Sequence, residues 1–87
     1  MYKKVIELRK EANEILNSVI DVIIQEHPSL RYTQILWILG IIDNQDRFYE
    51  EPAYTIERCY DRIIKASPSF ENSCLKEKID KLIEEIK

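Results

Sequence analysis

From Val5 onward, apolar side chains return every three or four residues. Val5, Leu8, Ala12, Ile15, Val19 and Val22 fall on the a and d positions of three heptads, and Leu16 and Ile23 widen that seam. This is the period of an amphipathic helix and not of a strand, whose side chains alternate every two residues. The pattern predicts a helix over residues 2–26, ended by His27-Pro28 because proline disfavours the helical region for its predecessor. Between Ile15 and Ile24 only Asn17, Ser18 and Asp21 interrupt the apolar surface, so Ile20 and Ile24 lie off the main seam and require a second neighbour.

A second helix is predicted from residue 30 or 31 to residue 42, with Ser29 as candidate N-cap. Its centre, Ile35-Leu36-Trp37-Ile38-Leu39, has no polar face and would also suit a buried strand. The lead-in Arg31 to Gln34, and the lack of any partner strand, favour helix. Gly40 near its end relieves crowding or permits a close helix crossing. A polar connection, Asp43-Asn44-Gln45-Asp46-Arg47, leads into Phe48-Tyr49-Glu50-Glu51-Pro52. Pro52 suits the first turn of a third helix, and the two glutamates favour its dipole. That helix is predicted over 52–66, with Ile56, Cys59, Tyr60, Ile63 and Ile64 on one stripe. Ser67-Pro68-Ser69 breaks it. A last helix, from residue 70 or 73 to the end, carries Leu75, Ile79, Leu82, Ile83 and Ile86 on one face. The expected fold is therefore all-α: one domain over residues 1–87, a compact four-helix bundle with short loops, open to completion by dimerisation.

Composition supports this. A single glycine in 87 residues cannot serve the many tight turns of an all-β fold. Thirteen basic and sixteen acidic residues are interspersed, with i,i+4 pairs at Lys10–Glu14, Asp61–Lys65 and Glu77–Lys81. No basic stripe is present to neutralise phosphates, so nucleic acid is not an expected partner. The longest run without a polar side chain, Ile35 to Ile42, is far shorter than the roughly 20 residues that span a bilayer. With no apolar leader near Met1 and only two cysteines, the expected location is the cytoplasm, with both thiols reduced.

The second half of helix 1 and most of helix 2 carry more apolar surface than a small bundle needs. Either helix 2 is threaded between the other three, or these faces meet a partner. A lone chain and a homodimer stand equally open, with a different protein partner as a third case. The candidate oligomer face is Ile20, Ile24, Ile38 and Ile42. Trp37 reads first as a core side chain and second as an interface anchor.

The least generic stretch is Pro28-Ser29-Leu30-Arg31-Tyr32-Thr33-Gln34-Ile35-Leu36, followed by Asp46-Arg47-Phe48-Tyr49-Glu50-Glu51. Arg31 could offer its planar fork to Asp46, Glu50 or Glu51, with Gln34 hydrogen-bonding the same loop. That would be a polar clasp. The other reading is a ligand or partner site built from Arg31, Gln34, Trp37 and Tyr49. Here the chain resembles a group of short uncharacterised bacterial proteins that share Pro-x-Leu-Arg-x-x-Gln-x-Leu and, after a variable loop, Asp-x-Phe-Tyr-x-Glu. The resemblance spans residues 27–52 and implies no catalytic mechanism. The group often has glycine before the glutamine, where this chain has Thr33.

Other chemistries fail on spacing. The acidic run from Asp43 to Glu51 lacks the glycine and the spacing of an EF-hand loop. Glu11-x-x-Glu14 matches half of the magnesium motif of helical nucleotide pyrophosphohydrolases, but Glu57 is followed three residues later by Tyr60, and Asp61 comes one residue late. His27 sits beside a proline at a helix end, Cys59 on an apolar stripe, and Cys74 near a helix start without a positioned base. A helix-turn-helix with its turn at Gly40 would present Asp43-Asn44-Gln45-Asp46 to the groove. No catalytic, metal-binding or cofactor-binding residue is expected, and no cofactor. The leading function is a non-catalytic structural or protein–protein interaction module. The alternatives are an acidic, antitoxin-like binder of a basic protein and, behind it, a magnesium-dependent pyrophosphohydrolase.

Overall fold

In the computed structural model, residues 2–47, 49–70 and 73–87 are described, with side chains from Val5 onward. They form five α helices: α1 Tyr2–Glu26, α2 Tyr32–Leu39, α3 Pro52–Arg58, α4 Tyr60–Ala66 and α5 Cys74–Ile86, with a 3-10 turn at Pro68–Phe70 ahead of α5. No strand occurs among the described residues. The core is continuous and follows the periodic positions. Ala12, Ile15, Val19 and Ile23 of α1, Ile56 and Cys59 at the end of α3, Ile63 of α4, and Ile79 and Leu82 of α5 are all buried. Phe70, from the 3-10 turn, joins them at 1% exposure.

α1 is the spine, packing against α2, α3 and α5, while α3 also packs on α5. α4 turns away to pack on α2 and the 3-10 turn. The molecule measures 41 × 31 × 18 Å. Eighteen ångströms is under two helix diameters of about 10–12 Å.

Several expectations are corrected by this packing. The helix predicted over 52–66 is broken in two at Cys59, whose backbone (φ −96°, ψ 7°) leaves helical geometry. Hydrogen bonds reach Cys59 from both sides, from Cys59 N to Thr55 O and from Ile63 N to Cys59 O. The direction changes because α3 answers to α1 and α5 while α4 answers to α2. The second helix stops at Leu39, three residues early: Gly40 adopts the left-handed conformation (φ 79°), and its N–H and that of Ile41 turn back to Trp37 O and Leu36 O. Its N-cap is Arg31, not Ser29. Helix 2 is also not central. It buries Ile35 and Leu39 and leaves Trp37 and Ile38 half exposed. Of the expected i,i+4 ion pairs none is closed; the one on α5 joins Lys76 to Asp80 at 3.0 Å.

No helix is long and apolar enough to cross a membrane, among the described residues.

Candidate functional site

The polar connection between α2 and α3 is held by arginines, and Arg58 is the centre of the arrangement. From the last turn of α3 its guanidinium donates to Gly40 O at 2.7 Å and to Ile41 O at 3.2 Å, satisfying carbonyls at the end of α2. The same group makes paired hydrogen bonds to Glu50, at 2.9 and 2.8 Å, and approaches Asp43 at 3.8 Å. Glu50 also accepts from the buried Thr55 hydroxyl at 2.7 Å. Arg47 closes the ring through Asp43 at 2.9 Å. The Arg58 hydrogen bonds hold the Glu50 carboxyl below its usual range, against burial acting the other way. The Arg47 hydrogen bond lowers Asp43 in the same manner. Next along the chain, Glu51 takes a bidentate pair from Arg9 of α1. This loop starts with four carboxylates and meets three arginines.

The clasp expected at Arg31 is thus made by Arg58. Arg31 stands at the N-terminal end of α2, and Arg58 fixes Glu50 to the C-terminal end, a helix length of about 12 Å away. Arg31 takes no ion pair among the described residues; its backbone N–H donates to Gln34 Oε1 at 2.8 Å. A guanidinium has no acceptor to return the bond, so only half of a capping box forms. Asp46 and Tyr49 lie in the loop, Tyr49 with 91% of its surface open. Arg31, Gln34 and Trp37 therefore share one element, and Asp46, Tyr49 and Glu50 another. Phe48, part of the sequence stretch singled out above, lies outside the described residues. Thr33 is exposed on α2.

Nothing in the spacing distinguishes Arg58 from its neighbour Arg62, which is why sequence reasoning missed it. Gly40 was legible as special, and two reasons now appear. Beyond its positive φ, a Cβ there would sit 2.9 Å from Arg62 Nη1. Gly40, Asp43, Arg47, Arg58, Cys59 and Arg62 line a hollow of about 230 Å3. Burial pushes the Cys59 thiol up, away from the reactive thiolate.

No family model matches the chain, and neither does any curated protein or solved structure.

One open apolar surface is on α2. With Ile35 and Leu39 facing inward, a 100° step per residue turns Thr33 and Trp37 outward and puts Gln34 and Ile38 on one flank with Arg31. Trp37 is 48% and Ile38 53% exposed. From Tyr32 to Ile42 there is no charged residue, in a chain where one residue in three is charged. Of the candidate oligomer face, Ile38 and Ile24 are exposed and Ile42 is half-buried, but Ile20 is covered by the chain's own packing.

A second largely apolar opening, of about 260 Å3, is lined by Val5, Leu8, Pro52, Ala53, Tyr54 and Ile86, while two others are lined mainly by charged side chains. One hollow of about 560 Å3 lies between the α3–α4 bend and α5 and is lined by Glu57, Tyr60, Asp61, Asp80 and Glu84 among others. Tyr60 donates to Asp80 at 2.8 Å, and that bond raises the Tyr60 hydroxyl above its ordinary value. Glu11 and Glu14 line a cleft with Lys78 and Lys81 of α5, cations where a magnesium motif needs further carboxylates. No group of three or more potential metal ligands occurs among the described residues.

Proposed function

We propose that this protein is a non-catalytic protein–protein interaction module that docks through the outward face of α2, with Arg31, Gln34, Trp37 and Ile38 as contact residues. The half-exposed Trp37 carries the reading. A tryptophan on an uncharged helix face leaves a large apolar area in water, and anchors of this type dominate binding energy at interfaces. The core already has its own aromatic in Phe70, at 1% exposure, so Trp37 is not needed to fill it.

The acidic-loop alternative is less well supported. Asp43, Glu50 and Glu51 are each engaged by arginines of the same chain, which leaves little negative field for a basic partner. The cytoplasmic placement and the kinship with short bacterial proteins of similar Pro-x-Leu-Arg pattern belong to this proposal as well.

The test uses the Trp37→Ala/Ile38→Ala double variant beside the wild-type chain as baits in the native host, with partners quantified by mass spectrometry. Loss of a specific partner, a copy of the same chain included, from the variant alone is expected. Identical partner sets from two equally stable baits would overturn the reading.

A further inference from the structure

We infer that the hollow between the end of α2, the 43–51 loop and the start of α4 binds a phosphate group, free or at the end of a small phosphomonoester, with Arg62 and Arg47 as its ligands. The site uses none of the residues of the Trp37 face and stands independently of the interaction reading.

Arginine is concentrated here. The chain has five arginines and eight lysines. Three of the five arginines, Arg47, Arg58 and Arg62, line this hollow of about 230 Å3 with Gly40, Asp43 and Cys59, and no lysine does. They arrive from the loop, the end of α3 and the first turn of α4. Two of them meet at Gly40. Arg58 Nη1 donates to Gly40 O at 2.7 Å, and Arg62 Nη1 lies over the same residue, 2.9 Å from where a Cβ would stand. Arg47 and Arg58 meet on one oxygen, Asp43 Oδ2, at 2.9 and 3.8 Å. All three guanidiniums also act on the Cys59 thiol in favour of its thiolate, although burial outweighs them.

Not all of these donors are engaged. Arg58 commits its fork to Glu50 and to the Gly40 and Ile41 carbonyls. Arg47 holds Asp43 through Nε and Nη2, and its Nη1 stands 3.9 Å from Glu50, beyond hydrogen-bond reach. Arg62 is exposed and has no hydrogen bond or ion pair among the described residues. All of its N–H groups are open. Set against Asp43 and Glu50, the three arginines leave one positive charge over, and it sits on Arg62.

These open N–H groups suit an oxyanion. A planar carboxylate matches a single fork, as Glu50 does with Arg58. A tetrahedral phosphate has oxygens for two forks at once and carries more charge. The hollow is smaller than the roughly 300–1,000 Å3 of sites that enclose drug-sized ligands, so it takes the phosphate end of a molecule and little more. One carboxylate against three guanidiniums on its wall disfavours a metal cation. A nucleic-acid backbone would need a longer track of cations.

Titration of the 15N-labelled protein with inorganic phosphate at constant ionic strength, followed by amide chemical shifts, tests this. Saturable shifts are expected at Gly40, Asp43, Arg47 and Arg62, with a Kd on the order of 1 mM. Acetate should bind about tenfold more weakly. Ribose 5-phosphate distinguishes the source: tighter binding than inorganic phosphate supports an ester, and equal or weaker binding supports the free ion. Arg62→Ala should weaken phosphate binding by about tenfold and leave the fold intact, because no hydrogen bond depends on that side chain. Arg62→Lys should recover about a third of the loss at most, since the ammonium keeps the charge without the fork. Lys65→Ala removes an exposed charge from the same helix outside the hollow and should change the affinity by less than about twofold. The inference is overturned by shifts that do not saturate by about 20 mM phosphate. Acetate binding as tightly as phosphate overturns it too. So does a loss in Lys65→Ala equal to that in Arg62→Ala, which would mark a general attraction to charge.

Discussion

Arg58 Nη1 donates to the carbonyl oxygen of Gly40 at 2.7 Å, eighteen residues away, and so ties the end of α3 to the end of α2. Helix ends leave carbonyls without intrahelical partners. Here one guanidinium satisfies two of them and a carboxylate as well. Arg58→Ala should therefore lower stability by about 2 kcal/mol, since a part-buried Glu50 loses its cation and two carbonyls lose a donor. For a chain of this size the melting temperature should fall by roughly 10 °C in circular dichroism. Arg58→Lys should recover little, because an ammonium lacks the planar fork.

Arg31→Ala should change the melting temperature hardly at all, with an effect within about 0.5 kcal/mol. Its guanidinium is exposed, and the Gln34 bond uses the backbone N–H, which alanine keeps. A loss as large as that of Arg58→Ala would mean that Arg31 clasps the loop after all.

Gly40→Ala should cost about 1–2 kcal/mol from the left-handed backbone alone. The contact with the Arg62 side chain adds to this, and Arg62→Ala should relieve that part only. Chemical denaturation of the two single variants and the double variant separates the terms. Full recovery in the double variant would mean that the backbone conformation carries no strain.

Acid should unfold the protein through the loop. Glu50 and Asp43 both have lowered folded-state values, from the Arg58 and Arg47 hydrogen bonds. The unfolded chain thus binds protons more readily as pH falls. The stabilisation is complete above the ordinary carboxylate range of about 4, and it is lost as pH falls through that range toward the lowered values. Glu50→Gln should be less stable than wild type at neutral pH and should show a flatter decline below about pH 5. Parallel curves for the two proteins would exclude Glu50 as a contributor.

The two thiols should differ in reactivity. Cys74 is exposed, whereas Cys59 is buried with its thiol value pushed up. A thiol reagent should modify one cysteine quickly and the second only on unfolding. Fast modification of both would contradict the packing at the α3–α4 break.

Helical periodicity made most of the fold legible. The stripe through Ala12, Ile15, Val19 and Ile23 and the stripe through Ile79 and Leu82 are buried where the 3.6-residue period puts them, because amphipathic helices have only one face to hide. Proline ended α1, and Ser73 caps α5 by accepting from Lys76 N. These are local effects, carried by residues within a turn of one another. The break at Cys59, the partner of Glu50 and the exposure of Trp37 are of another kind. Each depends on residues far apart in sequence: α3 and α4 finding different neighbours, Arg58 reaching back across eighteen residues, and α2 being covered by α1 and α4 only on the side of Ile35 and Leu39. Periodicity tells which side chains leave water, but an apolar run without a polar face has no preferred side. Which of its residues are buried was decided by what else the chain could bring against it, and this chain covers Ile35 and Leu39 while leaving Trp37 and Ile38 half in water.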